Sequence, residues 1–323
     1  MSDATSNEPI DARPAIYRES GLLGTVIELR VAIEGVDDVD AVADACHSTA
    51  IAEIERLQQV FSAYDPASVF CRWRSGNTPA TAPELVELLH TTLDWQERSG
   101  GGFNPLAGLL SDRWKRAEAD GRPPADDELL AIAASIRMPR FSMLDGEPTV
   151  VGDCSAMNLN AIAKGYIVDR AIQRVAEQLA GAERWWVSVN AGGDLAHRGA
   201  GSLRVGIENP HRPYDNEPPL TTVTLDNAAL ATSGLARRGF RVDGHWYGHV
   251  LDPHTGHPVD AIASISVVGP DAESADVVAT AAGVLPPDRA IEFIEALDSV
   301  EAMIVDSTGQ RWHSHGWPAL EVS

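Results

Sequence analysis

The order of the periodic segments constrains the fold of this chain more than any other feature of its sequence. Small and apolar residues at Ala161, Gly165 and Val168 step by four and three, which is typical of one helix face. The stretch GTVIELRVAI, residues 24–33, alternates and is rich in β-branched residues, which favours a strand. Helical and strand-like runs follow one another without strict β-α alternation. We therefore expect an α+β fold with mixed or antiparallel sheets and helices.

One large domain accounts for most of the chain. Its 323 residues, 44% of them hydrophobic, are enough to bury a substantial core. We expect a flexible tail over residues 1–16 and a single domain over residues 17–323. Further helices are predicted near 43–61, 81–98, 126–136, 273–284 and 287–297, and further strands near 203–208, 220–225, 228–233, 239–243, 245–251, 262–268 and 299–305.

Charge and composition exclude several classes of protein. The formal net charge is −22 and no cluster of Lys and Arg stands out, so nucleic acid and anionic membranes would be repelled. No apolar run is long enough for a transmembrane segment, and neither a secretory signal nor a lipobox cysteine is visible, so a cytoplasmic location is expected. Cys46, Cys71 and Cys154 match neither a zinc pattern nor a disulfide framework, which favours reduced thiols.

The densest group of titratable side chains is HWYGHVLDPHTGHPVD, residues 245–260, which holds four of the ten histidines. Its prolines and Gly256 exclude a continuous helix. Three interpretations stay open: a metal site, a catalytic loop and a surface turn. Zinc needs several imidazoles held together, and histidine spacings of four, five and three do not fix them on one face. A turn built on Asp252 could instead hold His249 at a strand end as a general base.

Three shorter stretches carry candidate binding groups, each with an ordinary structural alternative. NLNAIAKGYIVD places Lys164 in the first turn of a helix, where it could hold an anion or simply be solvated. VNAGGD ends a strand at Gly192 and Gly193, which could turn backbone amides toward a ligand or close a hairpin. ATSG places Ser233 where its hydroxyl could bind a ligand or stabilise a turn.

The stretch SADVVATA offers a metal site. Asp276 and Thr280 are four residues apart on one predicted helix and share a face. A carboxylate and a hydroxyl are hard oxygen ligands of the kind that Mg²⁺ prefers. The alternative is that Asp276 is a first-turn acid stabilised by the helix dipole and that Thr280 is an ordinary helical residue.

Together these stretches resemble the ApbE family, the FAD:protein FMN transferases. The resemblance rests on AKGYIVD, NAGGDL, ATSG, HVLDPHTGHPV and SADVVATA, and it extends to FSAYDPAS, GGFNP and LLGT. It implies an ApbE-like α+β fold that binds FAD in a cleft between two halves. It also implies Mg²⁺-dependent transfer of FMN from FAD to a Thr or Ser hydroxyl of an acceptor flavoprotein, with release of AMP.

The resemblance also implies roles for individual residues. Asp276 and Thr280 would bind the metal, with the backbone carbonyl of Ala161 as a third ligand. His249 would be the catalytic base, and Lys164 would contact FAD and take part in catalysis. The other residues of the flavin site would be Leu23, Arg74, Gly102, Phe103, Asn104, Asn158, Gly192, Gly193, Ser233, Leu251, Asp252, Thr255 and Gly256.

The chain departs from the family pattern at several positions. Asn104 and Asn158 stand where acidic residues are usual or frequent, and Leu235 follows TSG where Asp is common. Arg74 replaces a usual Asn or Tyr, and Leu23 replaces a usual Met. These changes could alter flavin placement, acceptor choice or activity. The residues that the resemblance ties to phosphate chemistry are retained, which favours an active transferase; they are Lys164, His249, Asp276 and Thr280.

Three other functions fit the same residues. An Mg²⁺-dependent FAD pyrophosphatase would use water in place of the acceptor hydroxyl and release FMN and AMP. A flavin carrier or sensor would bind FAD without cleaving it. A zinc hydrolase would use the histidines of residues 245–260 as metal ligands.

Overall fold

The computed structural model describes residue 10 and residues 12–76, 78–212, 217–234 and 239–322. Its helices are α1 (Val39–Phe61), α2 (Val69–Arg74), α3 (Pro83–Arg98), α4 (Gly108–Asp120), α5 (Asp126–Ile136), α6 (Asn160–Leu179), α7 (Ala272–Ala282) and α8 (Pro287–Glu295). Its strands are β1 (Ala15–Leu22), β2 (Thr25–Glu34), β3 (Phe141–Leu144), β4 (Glu147–Val150), β5 (Arg184–Ala191), β6 (Asp194–Gly199), β7 (Leu203–Ile207), β8 (Thr221–Leu225), β9 (Ala229–Gly234), β10 (Gly239–Val242), β11 (His245–Gly248), β12 (Ile262–Gly269), β13 (Glu301–Asp306) and β14 (Arg311–His313).

Eight of these strands form one sheet in the order β1-β2-β5-β6-β9-β12-β13-β14. Every neighbouring pair in it is antiparallel. Three two-stranded ribbons accompany it, β3-β4, β7-β8 and β10-β11. Antiparallel strands can be joined by tight turns, so several neighbours in the sheet are also neighbours in the chain. The expected α+β fold with antiparallel sheets is confirmed.

The large sheet separates two hydrophobic clusters. Ile27 and Leu29 of β2 point to the face that α1, α6 and α7 cover. Met303 and Val305 of β13 point to the opposite face, where β7, β8 and Trp317 complete a smaller cluster. Successive side chains of a strand point to opposite faces, so a sheet covered on both sides carries apolar residues on both.

The ends of three predicted helices agree closely with the structure. Helix α3 begins at Pro83, a residue that suits the first helical position because its missing N–H needs no partner there. Helix α5 has the predicted bounds, and α8 ends at Glu295, two residues before the predicted end. None of the described helices combines the length and the apolar character needed to cross a bilayer.

Two expectations about extent were wrong. Ala15 and Ile16 already belong to β1 and pair with β2, so the folded domain begins before residue 17. Strand β11 ends at Gly248, and the chain then enters the turn at residues 251–258. His249 therefore follows the strand instead of lying within it. The first part of the expected tail, residues 1–9 and residue 11, lies outside the described residues.

The sequence interpretation missed helix α4. Its buried residues Leu110, Trp114 and Ala117 step by four and three, which is a helical pattern. The helix ends at Gly121, whose φ of 64° is the left-handed conformation that commonly terminates helices. Both signals are present in the sequence, so this helix was predictable.

Candidate functional site

Helices α6 and α7 cross in direct contact, and the crossing places Lys164 beside α7. A Cβ atom on Gly165 would lie 2.3 Å from the carbonyl oxygen of Ala272. A side chain does not fit at that distance, so a glycine is needed for the two backbones to approach this closely. Lys164 lies just past the first turn of α6, in which it was expected, because the helix begins at Asn160.

The ammonium group of Lys164 lies between two buried carboxylates. It contacts Oδ2 of Asp194 at the start of β6, and it is 3.7 Å from Oδ2 of Asp276 on α7. Asp194 and Asp276 are 2% and 6% exposed. Oδ2 of Asp276 accepts no hydrogen bond, since the ammonium group is too distant to donate one. Burial raises the pKa of Asp276, and the positive charge of Lys164 opposes that shift.

A divalent cation fits this arrangement. A buried carboxylate oxygen without a donor is costly unless a cation or a proton compensates it. Thr280 lies one helical turn after Asp276 on the same face of α7, and Ala161 lies in the first turn of α6. One carboxylate with neutral oxygens suits Mg²⁺, which keeps several waters and binds substrate phosphate. The ligand roles of these three residues stay predictions.

The histidines of residues 245–260 point to separate neighbours. The imidazole of His257 pairs with the carboxylate of Asp126 at 3.4 Å. The ring of His254 lies beside Gly101, 3.4 Å from where a Cβ atom on that glycine would be. In the described part of the chain, no three His, Cys, Asp or Glu side chains are grouped to hold a metal ion. The zinc interpretation gains no support from these residues.

The turn between β5 and β6 meets the turn between β1 and β2. Gly192 and Gly193 have φ values of 64° and 112°, which few other residues adopt. A Cβ atom on Gly192 would lie 2.3 Å from Oγ1 of Thr25, so the two turns touch. Leu23, with a φ of 51°, donates its N–H to Oε1 of Gln58 at 2.7 Å. The stretches LLGT and NAGGDL are therefore adjacent.

The loop at residues 99–105 contacts both α7 and the histidine-rich turn. A Cβ atom on Gly102 would lie 3.0 Å from the carbonyl oxygen of Ala281, near the end of α7. Phe103 is 2% exposed and packs in the main core, and its contact with a flavin stays a prediction. Asn104 donates to the Ile136 carbonyl at 3.1 Å and accepts from the Leu106 N–H at 2.9 Å. Its amide therefore braces this loop.

Arg74 and Asn158 are also engaged within the protein. The guanidinium group of Arg74 donates to the carbonyl oxygens of Met157 at 2.6 Å and Ala63 at 2.8 Å. Oδ1 of Asn158 accepts the N–H of Asn160 at 3.3 Å, at the start of α6. Both side chains tie the segment before α6 into the fold, and their contacts with FAD stay predictions.

Asp252 shapes the turn that follows His249. Its Oδ1 accepts the N–H of His254 at 2.8 Å, and its Oδ2 accepts the hydroxyl of Thr255 at 2.9 Å. Both carboxylate oxygens are thus engaged within the turn, as expected for an aspartate that initiates one. If Asp252 and Thr255 contact FAD as predicted, their carboxylate and hydroxyl groups must do so while they also form these hydrogen bonds within the turn.

Helix α4 anchors both sides of His249. Trp114 packs on Tyr247 with ring centroids 4.8 Å apart, and its indole N–H donates to the Gly256 carbonyl at 2.9 Å. Leu251 is buried, 6% exposed, between these two contacts along the chain. His249 itself is half-buried. A helix that the sequence interpretation missed therefore positions the candidate base.

The site gains one residue that the sequence interpretation did not assign. Asp194 belongs to the quoted stretch NAGGDL, but its contact with Lys164 and its burial depend on tertiary packing. Ser233 lies on β9, the strand that pairs with β6 beside Asp194. Leu235, a noted departure, lies outside the described residues.

The N-terminus of α7 gathers four acidic side chains next to the site. Asp169 accepts the N–H groups of Ala272 and Glu273 at 2.9 and 2.8 Å. Burial, followed by the charges of Asp271, Asp169 and Glu87, raises the pKa of Glu273 to about 8. Burial also raises the pKa of Asp169 to about 6, although the two N–H groups oppose this shift.

Glu273→Gln is expected to flatten the dependence of stability on pH. A carboxyl group whose pKa rises on folding binds its proton more tightly in the folded state. Its contribution to stability is therefore present below the ordinary glutamate pKa of 4.5 and is lost as the pH rises through the folded-state pKa of about 8. Urea unfolding at about pH 5.5, 7 and 8.5 should show a smaller loss of stability in the variant than in the wild type. Equal losses would contradict the raised pKa.

A cavity of about 470 Å³ lies between the later turns of α6 and the ends of β5 and β6, and Asp169 and Asp271 line one side of it. Its polar side chains are largely engaged within the protein. Arg198 donates to the carbonyl oxygens of His197 and Pro270, and Asn227 exchanges hydrogen bonds with Gly199. None of the predicted site residues lines it.

Comparison with known proteins places these stretches in a family. The sequence model of the ApbE family matches residues 23–304. The FAD:protein FMN transferase of Treponema pallidum is 27% identical over 275 residues, 78% of this chain and 74% of that protein. The one of Klebsiella pneumoniae is 26% identical over 319 residues, 94% of this chain and 88% of that protein. The crystal structure of the ApbE protein from Thermotoga maritima has the same fold, with a TM-score of 0.81 at 24% identity over 96% of this chain and 100% of that chain.

Proposed function

The chain belongs to the ApbE family, and we propose that it is an Mg²⁺-dependent FAD:protein FMN transferase. It moves the FMN half of FAD onto a Thr or Ser hydroxyl of an acceptor flavoprotein and releases AMP. The observation that carries this proposal is the meeting of Lys164 with two buried carboxylates, of which Asp276 keeps its Oδ2 beyond hydrogen-bond distance of the ammonium group.

The residues around Lys164 suit a diphosphate substrate. The chain carries a net charge of −22, so local positive charge must hold the anionic diphosphate of FAD. Lys164 supplies a compact ammonium group for this purpose. Asp276, Thr280 and the Ala161 carbonyl would hold Mg²⁺, which would supply positive charge to offset the phosphate oxygens and the charge that develops as AMP leaves.

His249 is proposed as the base for the acceptor hydroxyl. It accepts the hydroxyl proton while the oxygen forms a bond to the phosphorus of the FMN half. The bond from this phosphorus to the bridging oxygen breaks, and AMP leaves with that oxygen. Histidine suits this role because its charge changes near neutral pH. The anchoring of Tyr247 and Gly256 on α4 keeps the histidine in place.

Mass spectrometry of a co-expressed acceptor flavoprotein tests the proposed function. Covalent FMN on a Thr or Ser of the acceptor, formed only with active enzyme, is the expected result. Steady release of FMN and AMP from FAD without acceptor would indicate a pyrophosphatase instead. Tight FAD binding that is indifferent to Mg²⁺, with no AMP formed over hours, would indicate a flavin carrier or sensor.

His249→Ala is expected to slow flavin transfer by about a hundredfold or more, since general bases contribute about that much. Binding of FAD should change little, because the proton is abstracted only during the reaction. The measurement is the initial rate of acceptor flavinylation at saturating FAD and Mg²⁺. His257→Ala is the matched control, because His257 lies in the same segment but is exposed and pairs with Asp126. Equal losses in both variants would remove His249 from the mechanism.

A further inference from the structure

Lys164 serves two carboxylates at once. Its ammonium group contacts Asp194 and lies 3.7 Å from Asp276, and both acids are buried. Among the ion pairs of the described residues, Lys164 is the only basic partner of either acid. A buried charge is stable only when a charge of opposite sign or hydrogen bonds compensate it. Two carboxylates therefore share one positive charge.

The sharing is unequal. The ammonium group is in contact with Oδ2 of Asp194, whereas it lies 3.7 Å from Oδ2 of Asp276, which is too long for a hydrogen bond. Asp276 thus has a counter-ion nearby but keeps an oxygen that can take another cation. That oxygen belongs to the residue proposed above as the charged metal ligand.

A metal ion and the ammonium group repel each other at this separation. Mg²⁺ binds carboxylate oxygens at about 2.0–2.1 Å, so the two cations would lie only a few ångströms apart. Their repulsion is weakly screened, because both acids are buried. Binding of the metal therefore requires the ammonium group to stay with Asp194.

We propose that Lys164 is the resident counter-ion of Asp276 in the metal-free enzyme and competes with the divalent cation for this carboxylate. Asp194 is the positioning residue that retains the ammonium group while the metal occupies Asp276. The inference rests on the metal site of the proposed function. It explains why a second buried aspartate, outside the proposed metal ligands, lies beside the lysine.

Binding of Mn²⁺ to the apo protein tests this competition without any reaction. Free Mn²⁺ is measured by electron paramagnetic resonance at one pH and ionic strength, with no FAD present. Lys164→Met removes the competing charge and is expected to bind Mn²⁺ about tenfold more tightly. Asp194→Asn leaves Asp276 as the sole carboxylate partner of the ammonium group and is expected to bind about tenfold more weakly. The double variant should return to within about threefold of the wild type.

The chain offers close controls for this test. Lys115 and Lys164 are its two lysines, and Lys115 is an exposed residue paired with Asp112, so Lys115→Met should leave the affinity unchanged. Asp276→Asn should abolish binding. Unchanged binding in that variant would refute the proposed metal site itself. If Asp276→Asn loses binding but Lys164→Met binds no more tightly than the wild type, the competition is refuted and the metal site stands. Should Asp194→Asn not fold, Lys164→Met and Lys164→Gln decide the question.

Discussion

Replacing Asp276 by alanine is expected to abolish metal-dependent cleavage of FAD, with a fall in rate of about a thousandfold or more. This aspartate is the one negatively charged ligand in the proposed Mg²⁺ site, and the other two ligands are neutral oxygens. Raising the Mg²⁺ concentration should not restore the rate. The measurement is release of AMP, quantified by chromatography over a range of Mg²⁺ concentrations.

Loss of folding would not account for such a result. Burial already disfavours the charge of Asp276 and raises its pKa, and Lys164 keeps its contact with Asp194 when Asp276 is removed. The thermal stability of Asp276→Ala should therefore equal or exceed that of the wild type. Asp288→Ala, which removes an exposed first-turn acid of α8, is the matched control and should retain full activity. Full activity of Asp276→Ala in the presence of Mg²⁺ would refute the metal assignment.

Gly165→Ala is expected to lower the free energy of unfolding by about 3 kcal/mol, as overpacking of a well-packed site does. The added Cβ atom would lie 2.3 Å from the Ala272 carbonyl oxygen and 2.7 Å from Cα of Glu273. Both are backbone atoms, which cannot rotate away, so α6 and α7 must separate. Separation also moves Lys164 from Asp276, and we expect Mn²⁺ binding and AMP release to be lost. Urea unfolding and Mn²⁺ binding measure the two effects.

Gly181→Ala provides the matched control for this crossing. The substitution is the same, Gly181 follows the same helix, and a Cβ atom there would meet nothing within 4 Å. Gly181→Ala should change the free energy of unfolding by no more than about 0.5 kcal/mol. In a helix interior, alanine is favoured over glycine by about 1 kcal/mol, so an unhindered Gly165→Ala would stabilise the protein. A stabilised Gly165→Ala variant would show that the two helices do not need their close approach.

Several features of the site could be predicted from single stretches of sequence. The spacing of Asp276 and Thr280 predicts that they share a helix face, and the structure places both on α7. The composition of DPHTG predicts a tight turn, and Asp252 forms its hydrogen bonds. Each prediction concerns residues a few positions apart, where backbone geometry alone fixes the relation between side chains.

Other residues of the predicted flavin site have a second use within the fold, and their contacts with FAD stay predictions. Phe103 stands in a stretch that resembles a flavin-site loop, but its ring is part of the core. Asn104 and Arg74 donate to backbone carbonyl groups that lie far from them in sequence. Motifs give the residue type and its neighbours in the chain, and they do not give the partners that packing supplies. The extent of β11 was overestimated for a related reason, since the turn after it is held by α4.

The sequence by itself determined most of the periodic elements, an α+β fold with mixed or antiparallel sheets, and the stretches that carry the chemistry. Only the tertiary structure decided that Lys164, Asp194 and Asp276 meet, and that two acids share one ammonium group. The physical reason is that this meeting depends on backbone contact at Gly165 between helices that are distant in the chain. Periodicity predicts which face of a helix is buried. It does not predict which element covers that face, or which charged groups lose their solvent when the elements pack.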